Sequence, residues 1–418
     1  SLANGTSDNL RFEITNPSTA SGTFDLLVRR GDDNSNNKII LETWTGLSLD
    51  PKAENFISKI IGDQVLSYNS STNQVEVSGN YANASRYVRI SGISVLTPDY
   101  FDNNGNAKTA YVDFIPVAQS GSFDSATGDV KAGANFYENI NSSNSQGLGG
   151  ADYTNMISLL SNQDEYVYNI LLAPGLYNSG YASECTAMIN NSQNRGDNLL
   201  VLDLVPYASS VSTVTTQAAS RNTSYAASYW PWVRVIDPDM GKQVWVPAST
   251  VMGGVFAYND SVSEPWFAPA GINRGGLGQV IRAEQKLTQA QRDTLYTGKV
   301  NPIATFPGTG VVVYGQKTLQ TKASALDRVN VRRLLIQLKS YISQVAQNLV
   351  FEQNTASTRN NFLAQVNPYL ESVQQRQGLY AFKVIMDDSN NTADVIDRNQ
   401  LIGQIYIQPT KTAEFIYL

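Results

Sequence analysis

The strongest constraint on the fold is an alternation of short apolar segments with amphipathic segments in the middle of the chain. Three predicted helices alternate with three predicted strands, at 153–160, 167–173, 182–189, 199–205, 210–219 and 232–236. Strands separated by helices are typical of a largely parallel sheet with helices packed on it. The pattern therefore predicts an α/β domain, continued by a strand at 243–246 and a helix that begins at Pro247.

Residues before 121 show a different pattern, in which apolar strands are joined by polar turns. One helix interrupts the strands, because Asp50 can cap it, Pro51 suits its first position and apolar residues from Ala53 to Ile61 recur on one side. The segment 121–150 is rich in Ser, Asn and Gly, so we expect a long loop or a domain boundary there. The predicted strands are 10–14, 23–29, 38–44, 87–96 and 110–117.

The last third of the chain combines helices and strands. The predicted elements are a strand at 310–314, helices at 327–350 and 357–375, and strands at 380–386, 404–407 and 413–417. A chain of 418 residues exceeds the roughly 250 to 300 residues that one hydrophobic core supports. We therefore expect a multi-domain α+β protein with a β-rich domain at 1–145, an α/β domain at 146–300 and an α+β domain at 301–418.

The composition argues against several classes of protein. Only 16% of the residues are charged, against roughly 25% in ordinary domains, and a surface of neutral polar side chains suits wide contacts with other chains. The net charge of -6 disfavours nucleic-acid binding, and no apolar run approaches the roughly 20 residues of a membrane span. The absence of histidine removes the commonest general base and metal ligand. We predict a protein that is not an enzyme and has no cofactor or metal.

Two glycine-containing segments resemble phosphate-binding loops but fail on spacing. In 310–318, Gln316 separates the second glycine from the lysine, and the residues between the two glycines favour a strand. The glycines at 275–278 lack both a preceding strand and the third glycine of a dinucleotide site. We interpret the first segment as a strand and the second as a turn.

The remaining candidates for chemistry are one cysteine and three carboxylates. Cys185 has no histidine to activate it, so we interpret it as a buried side chain on a helix. A glycosidase needs two carboxylates at a fixed separation, which a sequence does not supply. The carboxylates at predicted strand ends and turns are Asp203, Asp237 and Asp239.

Basic residues cluster on the long helix predicted at 327–350. Arg328, Arg332 and Lys339 fall on one side of it, Arg333 is adjacent, and apolar residues form a second stripe. Two interpretations are open: a solvated helix face, or a surface that attracts an acidic protein partner.

The closing segment has the pattern of an edge strand. Ile405 and Ile407 alternate with Gln404 and Tyr406, and Pro409 can end the pairing at an edge. Such a segment suits the addition of a strand to a sheet of another chain.

Four elements near the C-terminus resemble motifs of contractile-tail sheath proteins, in the same order. Residues 313–319 are similar to W-G-x-R-T-L, with Tyr and Lys in place of Trp and Arg, and residues 329–335 are similar to N-V-R-R-L at the start of a long helix. Residues 351–354 resemble F-E-P-N, and residues 405–416 resemble the ending I-x-I-x-P-x-x-x-A-E-x-I. The resemblance is looser over 153–276 and weakest before that.

The resemblance implies a structural subunit of a contractile tail sheath. Domain 1–145 would be the protruding outer domain, 146–300 the middle α/β domain and 301–418 the inner sheath domain. Subunits would stack as hexameric rings around a tail tube and contract to drive the tube through the target envelope. The implied partners are further copies of the chain, the tail tube protein, and baseplate and tail terminator proteins, in a virion tail that is assembled in the host cytoplasm.

The resemblance also gives the candidate interface residues a role. The tube-facing candidates are Arg328, Arg332, Arg333 and Lys339. The inter-subunit strand candidates are Gln404, Ile405, Tyr406, Ile407, Phe415, Ile416 and Tyr417. Sheath proteins usually start with an arm that bears P-G-V-Y, and nothing similar stands near Ser1, so we expect an N-terminally shortened form.

Two other functions are open. A carbohydrate-binding or carbohydrate-active surface protein would use the polar, tyrosine-rich β region, and glycan binding by the monomer would favour it. An α/β nucleotide-binding protein would respond to nucleotide titration. The sequence also leaves open whether the subunit serves a phage tail, a bacteriocin or another injection machine.

Overall fold

The computed structural model describes residues 10–122 and 150–414, apart from positions 32, 35, 239, 240 and 242. The chain divides into two compact units, 1–159 and 160–418. Most of the loop expected at 121–150 lies outside the described residues. Within the described ranges, no helix combines the length and the apolar character needed to cross a bilayer.

The first unit is built on a four-stranded antiparallel sheet. Its strands are ordered β3-β2-β1-β6, while β4 and β5 form a separate hairpin. Phe24 and Leu47 of the sheet pack with Phe56, Ile57 and Ile61, and these side chains form the core of the unit. The elements are β1 (Leu10–Ser18), β2 (Thr23–Arg30), β3 (Ile40–Ser48), α1 (Ile57–Ile61), β4 (Val65–Asn69), β5 (Gln74–Ser78), α2 (Thr109–Val112), β6 (Gln119–Ser122) and α3 (Gly150–Leu159).

The strand predicted at 87–96 is wrong. Val88 and Ile90 do pack against the core, which explains the apolar pattern. The backbone, however, forms no ladder there: the Ile90 N–H donates to the carbonyl of Gly62 at 2.8 Å. An apolar alternation can thus cover a core without a neighbouring strand.

Two further predictions in this unit are corrected by local hydrogen bonds. The Asp50 carboxylate accepts a bond from the Lys52 N–H (2.9 Å), which closes a turn, so the helix begins only at Ile57. The segment 110–117 is not a strand. It begins within helix α2. Its backbone N–H groups donate to the carbonyls three residues earlier, as in a series of turns.

The second unit contains several small sheets and the longest helices. Strands β7, β8 and β9 are parallel neighbours, which confirms a parallel pairing for the first two predicted strands. The third predicted strand, 232–236, corresponds to β11, which instead pairs antiparallel with β12 and β13 in a separate sheet. The elements are β7 (Ile170–Tyr177), α4 (Ala182–Arg195), β8 (Leu199–Asp203), α5 (Val211–Ala219), β9 (Ala226–Ala227), β10 (Tyr229–Trp230), β11 (Val233–Ile236), β12 (Gln243–Val246), α6 (Ser249–Val262), β13 (Arg282–Ala283), α7 (Gln289–Thr297), β14 (Asn301–Phe306), β15 (Gly310–Val313), α8 (Val329–Gln347), α9 (Ala356–Gln375), β16 (Leu379–Ile385), α10 (Ala393–Asp397) and β17 (Gln404–Pro409).

Helix α8 contributes to two hydrophobic cores of this unit. Val329 and Ile336 lie in the first core, with residues of β8, β14, β15 and α6. Leu334, Leu338 and Val345 lie in the second core, with residues of α9, β16 and β17. Helix α8 therefore has apolar neighbours on more than one side, although its sequence pattern is amphipathic.

Some elements of the second unit differ from the expectations. Residues 413 and 414 are not in a strand, because Glu414 is held by hydrogen bonds from side chains and not by a ladder. Residues 415–417 lie outside the described residues. Helix α7 and strand β14 are not predicted. The capping box of α7, in which Thr288 and Gln291 bond each other's backbone, was a readable signal for its start.

Candidate assembly interface

The hairpin of β16 and β17 exposes two strand edges. Val384 pairs with Ile405 and Phe382 with Ile407, and both isoleucines pack against the second core. Gln404 and Tyr406 are exposed. Among the described residues this sheet has only these two strands, so the outer edge of each carries backbone groups without a sheet partner. The geometry is therefore suited to pairing with a strand of another chain.

Beyond β17, the closing segment folds back onto the same chain through Glu414. One carboxylate oxygen accepts from Arg328 Nε at 2.7 Å and from Gln316 Nε2 at 3.0 Å. The other accepts from the Tyr296 hydroxyl at 2.7 Å. Gln316 also donates to the Thr412 hydroxyl at 2.6 Å. We call Glu414 and its three donors the closing-segment clamp.

The clamp sets the charge state of its members. Burial raises the pKa of Glu414, but the hydrogen bonds from Arg328, Tyr296 and Gln316 outweigh it, so this pKa lies below its ordinary value. Burial and the adjacent carboxylate raise the pKa of Tyr296, which keeps the phenol protonated as a donor. Glu414 is therefore ionised near neutral pH.

Arg332 and Arg333 do not lie on a solvated face of α8. Arg332 stacks over the Tyr225 ring, 3.9 Å from its centroid, and its Nε donates to the Ser224 carbonyl at 3.2 Å. Arg333 lies over Phe256 and pairs with Asp260 at 2.5 Å. They are 6% and 5% exposed, so most of each side chain packs within its own chain. The solvated-face interpretation is thus wrong for these two residues.

Arg328 and Lys339 are the more accessible members of the basic cluster. Arg328 keeps a quarter of its side chain exposed and pairs with both Asp327 and Glu414. Lys339 is exposed, and its Nζ donates to the Arg195 carbonyl at 2.9 Å. The four basic residues therefore do not converge on one site, and contact with a tube stays a prediction. Phe415, Ile416 and Tyr417 lie outside the described residues.

The segments considered for chemistry have structural roles. The four residues 310–313 form strand β15, and Lys317 Nζ donates to the Tyr296 carbonyl at 2.8 Å. Cys185 is fully buried, and burial raises its pKa to about 12. The buried Asp203 accepts bonds from the hydroxyl and the N–H of Ser249 at the start of α6. Asp237 lies at the end of β11, and Asp239 is outside the described residues.

The clamp was not visible in the sequence, although two of its four residues stand in the motifs quoted above. Gln316 belongs to 313–319 and Glu414 to 405–416. The two are almost a hundred positions apart, so no local periodicity joins them. The structure brings both motifs together at one carboxylate.

The sequence of the second unit matches a known family of assembly proteins. Residues 146–319 match the family described as phage tail sheath protein central domain. Residues 321–418 match the phage tail sheath C-terminal domain. The chain belongs to the phage tail sheath family, and these matches give no support to a carbohydrate-binding protein.

Similar curated proteins carry the same description. The tail sheath protein of Vibrio phage KVP40 is 32% identical over 356 residues, which cover 79% of this chain and 50% of that protein. The tail sheath protein of Enterobacteria phage T4 is 41% identical over 174 residues, or 42% of this chain and 26% of that protein. The chain thus spans about half the length of the Vibrio phage protein.

Solved structures of contractile injection systems share the fold. The sheath complex of an extracellular contractile injection system, in its contracted state, aligns with a TM-score of 0.53 at 25% identity, over 63% of this chain and 73% of that one. A chain of the anti-feeding prophage baseplate aligns with a TM-score of 0.54 at 24% identity, over 65% of this chain and 73% of that one.

Proposed function

We propose that the chain is the structural subunit of a contractile tail sheath, without enzymatic activity. It polymerises around a tail tube and contracts to drive the tube through the target cell envelope. The observation that carries the proposal is the open-edged hairpin of β16 and β17 in a chain of the tail sheath family. A strand from a second copy would pair with backbone groups that have no sheet partner at either edge.

The proposal includes a layout of domains and partners. Residues 1–145 form the protruding outer domain, 146–300 the middle α/β domain and 301–418 the inner domain. The partners are further copies of the chain, the tail tube protein, and baseplate and terminator proteins. The site of action is the virion tail, which is assembled in the host cytoplasm.

Contact with the tube rests on the accessible part of the basic cluster. Arg328 and Lys339 keep solvent-exposed surface, so they can face an acidic partner without loss of internal packing. Lys339→Glu should shorten the sheath that forms on isolated tubes, while assembly without tubes stays unchanged. Unaltered sheath length on tubes would remove Lys339 from the tube-facing surface.

The self-assembly is tested on the full-length protein by sedimentation and electron microscopy. We expect helical tubes at high concentration, and none from a variant that lacks residues 411–418. The deletion leaves both strands of the hairpin and the second core in place, so circular dichroism should still report a folded monomer. Tubes of normal length and yield from the deletion variant would contradict a role of the closing segment in assembly.

A further inference from the structure

The turn between α8 and α9 presents a fully exposed aromatic side chain. Phe351 is 101% exposed, and its φ of 71° lies in the left-handed region that few residues other than glycine adopt. The adjacent Val350 is 61% exposed. An exposed phenyl ring costs free energy, which a partner that covers the ring would recover.

Polar contacts hold this turn in a defined position. Asn354 Nδ2 donates to the Gln400 carbonyl at 2.8 Å and to the side chain of Asn391 at 3.3 Å. Arg359, which is 6% exposed, donates to Asn354 Oδ1 at 2.8 Å. These bonds fix the backbone of the turn that presents Phe351, so little loop entropy is lost on binding.

An apolar pocket of about 450 Å³ lies elsewhere in the same unit. Val251, Gly254 and Tyr258 of α6 form one wall, and Ile272 and Leu277 form another. Tyr258 is 52% exposed and Ile272 is 62% exposed, so the entrance is open and apolar. A Cβ atom at Gly254 would meet nothing within 4 Å, which leaves room for an inserted ring.

The pocket and Phe351 lie towards opposite ends of α8. Leu277 packs in the same core as Val329, in the first turn of the helix, whereas Phe351 follows its last turn. The 19 residues of α8 rise about 28 Å at 1.5 Å per residue. Phe351 is fully exposed, so it does not occupy the pocket of its own chain, and the pocket of another copy is available to it.

Charges beside the two features are complementary. Glu352 follows Phe351, is exposed, and forms no ion pair within the described residues. Arg274 stands between the pocket-lining residues Asn273 and Gly276 and lies over Phe267. Across the described ranges it has no acidic partner either. An apolar side chain next to an acid would thus meet an apolar pocket next to a base.

We propose that Phe351 of one copy inserts into the α6 pocket of the next copy, with Glu352 of the first against Arg274 of the second. Such a contact is heterologous, because the two surfaces differ, and repeated head to tail it generates a ring or an open helical polymer. The inference rests on the self-assembly proposed above and names one contact within it.

The first test measures the critical concentration for polymerisation of the full-length protein and of variants at the contact. Phe351→Ala should raise it about tenfold or more, whereas Phe114→Ala, at another exposed phenylalanine, should leave it unchanged. Glu352→Arg and Arg274→Glu should each raise it, and the double variant should restore it. The absence of polymers from the unmodified protein would overturn the proposed function. Polymerisation by Phe351→Ala at the unmodified concentration would overturn this contact alone.

Disulfide trapping provides the second test. Cys185 is buried and does not compete, so Phe351→Cys and Gly254→Cys are introduced into one chain. Mild oxidation of the polymer should give a ladder of dimers, trimers and longer chains, and each single variant should give no ladder. Absence of a ladder from the double variant would overturn the contact. So would a Phe351→Ala variant that forms normal polymers alone and fails only on tubes, since the ring would then bind the tube.

Discussion

Loss of the Glu414 carboxylate should release the closing segment while the rest of the second unit stays folded. The segment after β17 is held by the clamp and by Thr410, whose N–H and hydroxyl bond backbone carbonyls at 377 and 378. Glu414→Ala removes the acceptor of three hydrogen bonds at once. The described residues 411–413 are exposed, and of the clamp contacts only the bond from Gln316 to the Thr412 hydroxyl remains.

The size of the effect follows from the exposure of the pair. Arg328 and Glu414 are 25% and 16% exposed, so their bond is partly screened and contributes roughly 1.5 kcal/mol. Tyr296 and Gln316 together add about 1 kcal/mol, since water replaces part of each bond. Arg328 retains Asp327 at 2.9 Å, so no unpaired charge is left. A net loss of about 2 to 3 kcal/mol corresponds to a roughly 30- to 150-fold rise in the open population.

Limited trypsin digestion measures this population, because Lys411 is an exposed cleavage site within the segment. Cleavage that is slow relative to reclosing tracks the open fraction, and mass spectrometry detects the loss of 412–418. Glu414→Ala should accelerate this cut by the factor above, and Glu414→Gln should give an intermediate rate. Glu371→Ala, at an exposed acid outside the clamp and outside the proposed contact between copies, is the control. A change of less than threefold in Glu414→Ala would refute the clamp.

Three further predictions concern the free energy of unfolding, measured with urea. Burial raises the pKa of Asp203 to about 7, so from about pH 4 to 7 the folded chain holds a proton that the unfolded chain releases. Stability should therefore fall as pH rises through this window, and Asp203→Asn should flatten the slope. Leu370→Ala, at a fully buried side chain of the second core, should cost about 2 to 5 kcal/mol with an unchanged pH profile. Arg332→Ala should lower the free energy of unfolding by about 2 to 3 kcal/mol, because its stacking on Tyr225 is lost. Lys339→Ala should lower it by less than about 1 kcal/mol. Equal effects of the two variants would contradict the burial of Arg332.

Local patterns sufficed for elements whose periodicity matches their burial. Helix α9 was predicted at 357–375 and runs over Ala356–Gln375, because its apolar positions face one core. Strand β8 is short, apolar and buried throughout, and it was predicted with its first residue correct. The segment 87–96 has a similar apolar rhythm, but a sequence does not reveal whether a neighbouring strand exists to pair with it.

The candidate site was harder to predict, because its contacts join distant positions. The helix pattern predicted which residues share a side of α8 but not which elements cover that side. Arg332 and Arg333 were therefore expected to face solvent or a partner protein, although Tyr225 and Phe256 lie against them. Likewise, the acid that neutralises Arg328 comes from the far end of the chain. Pairings of this kind depend on tertiary contacts and not on local periodicity.

The sharing of α8 between two cores has a mechanical consequence. To turn one core relative to the other, the helix would have to withdraw Val329 and Ile336, or Leu334, Leu338 and Val345, from their neighbours. At roughly 1.5 to 3 kcal/mol for each buried side chain, either set costs at least about 3 kcal/mol. The helix therefore couples the two cores, and we expect them to move together as one rigid body.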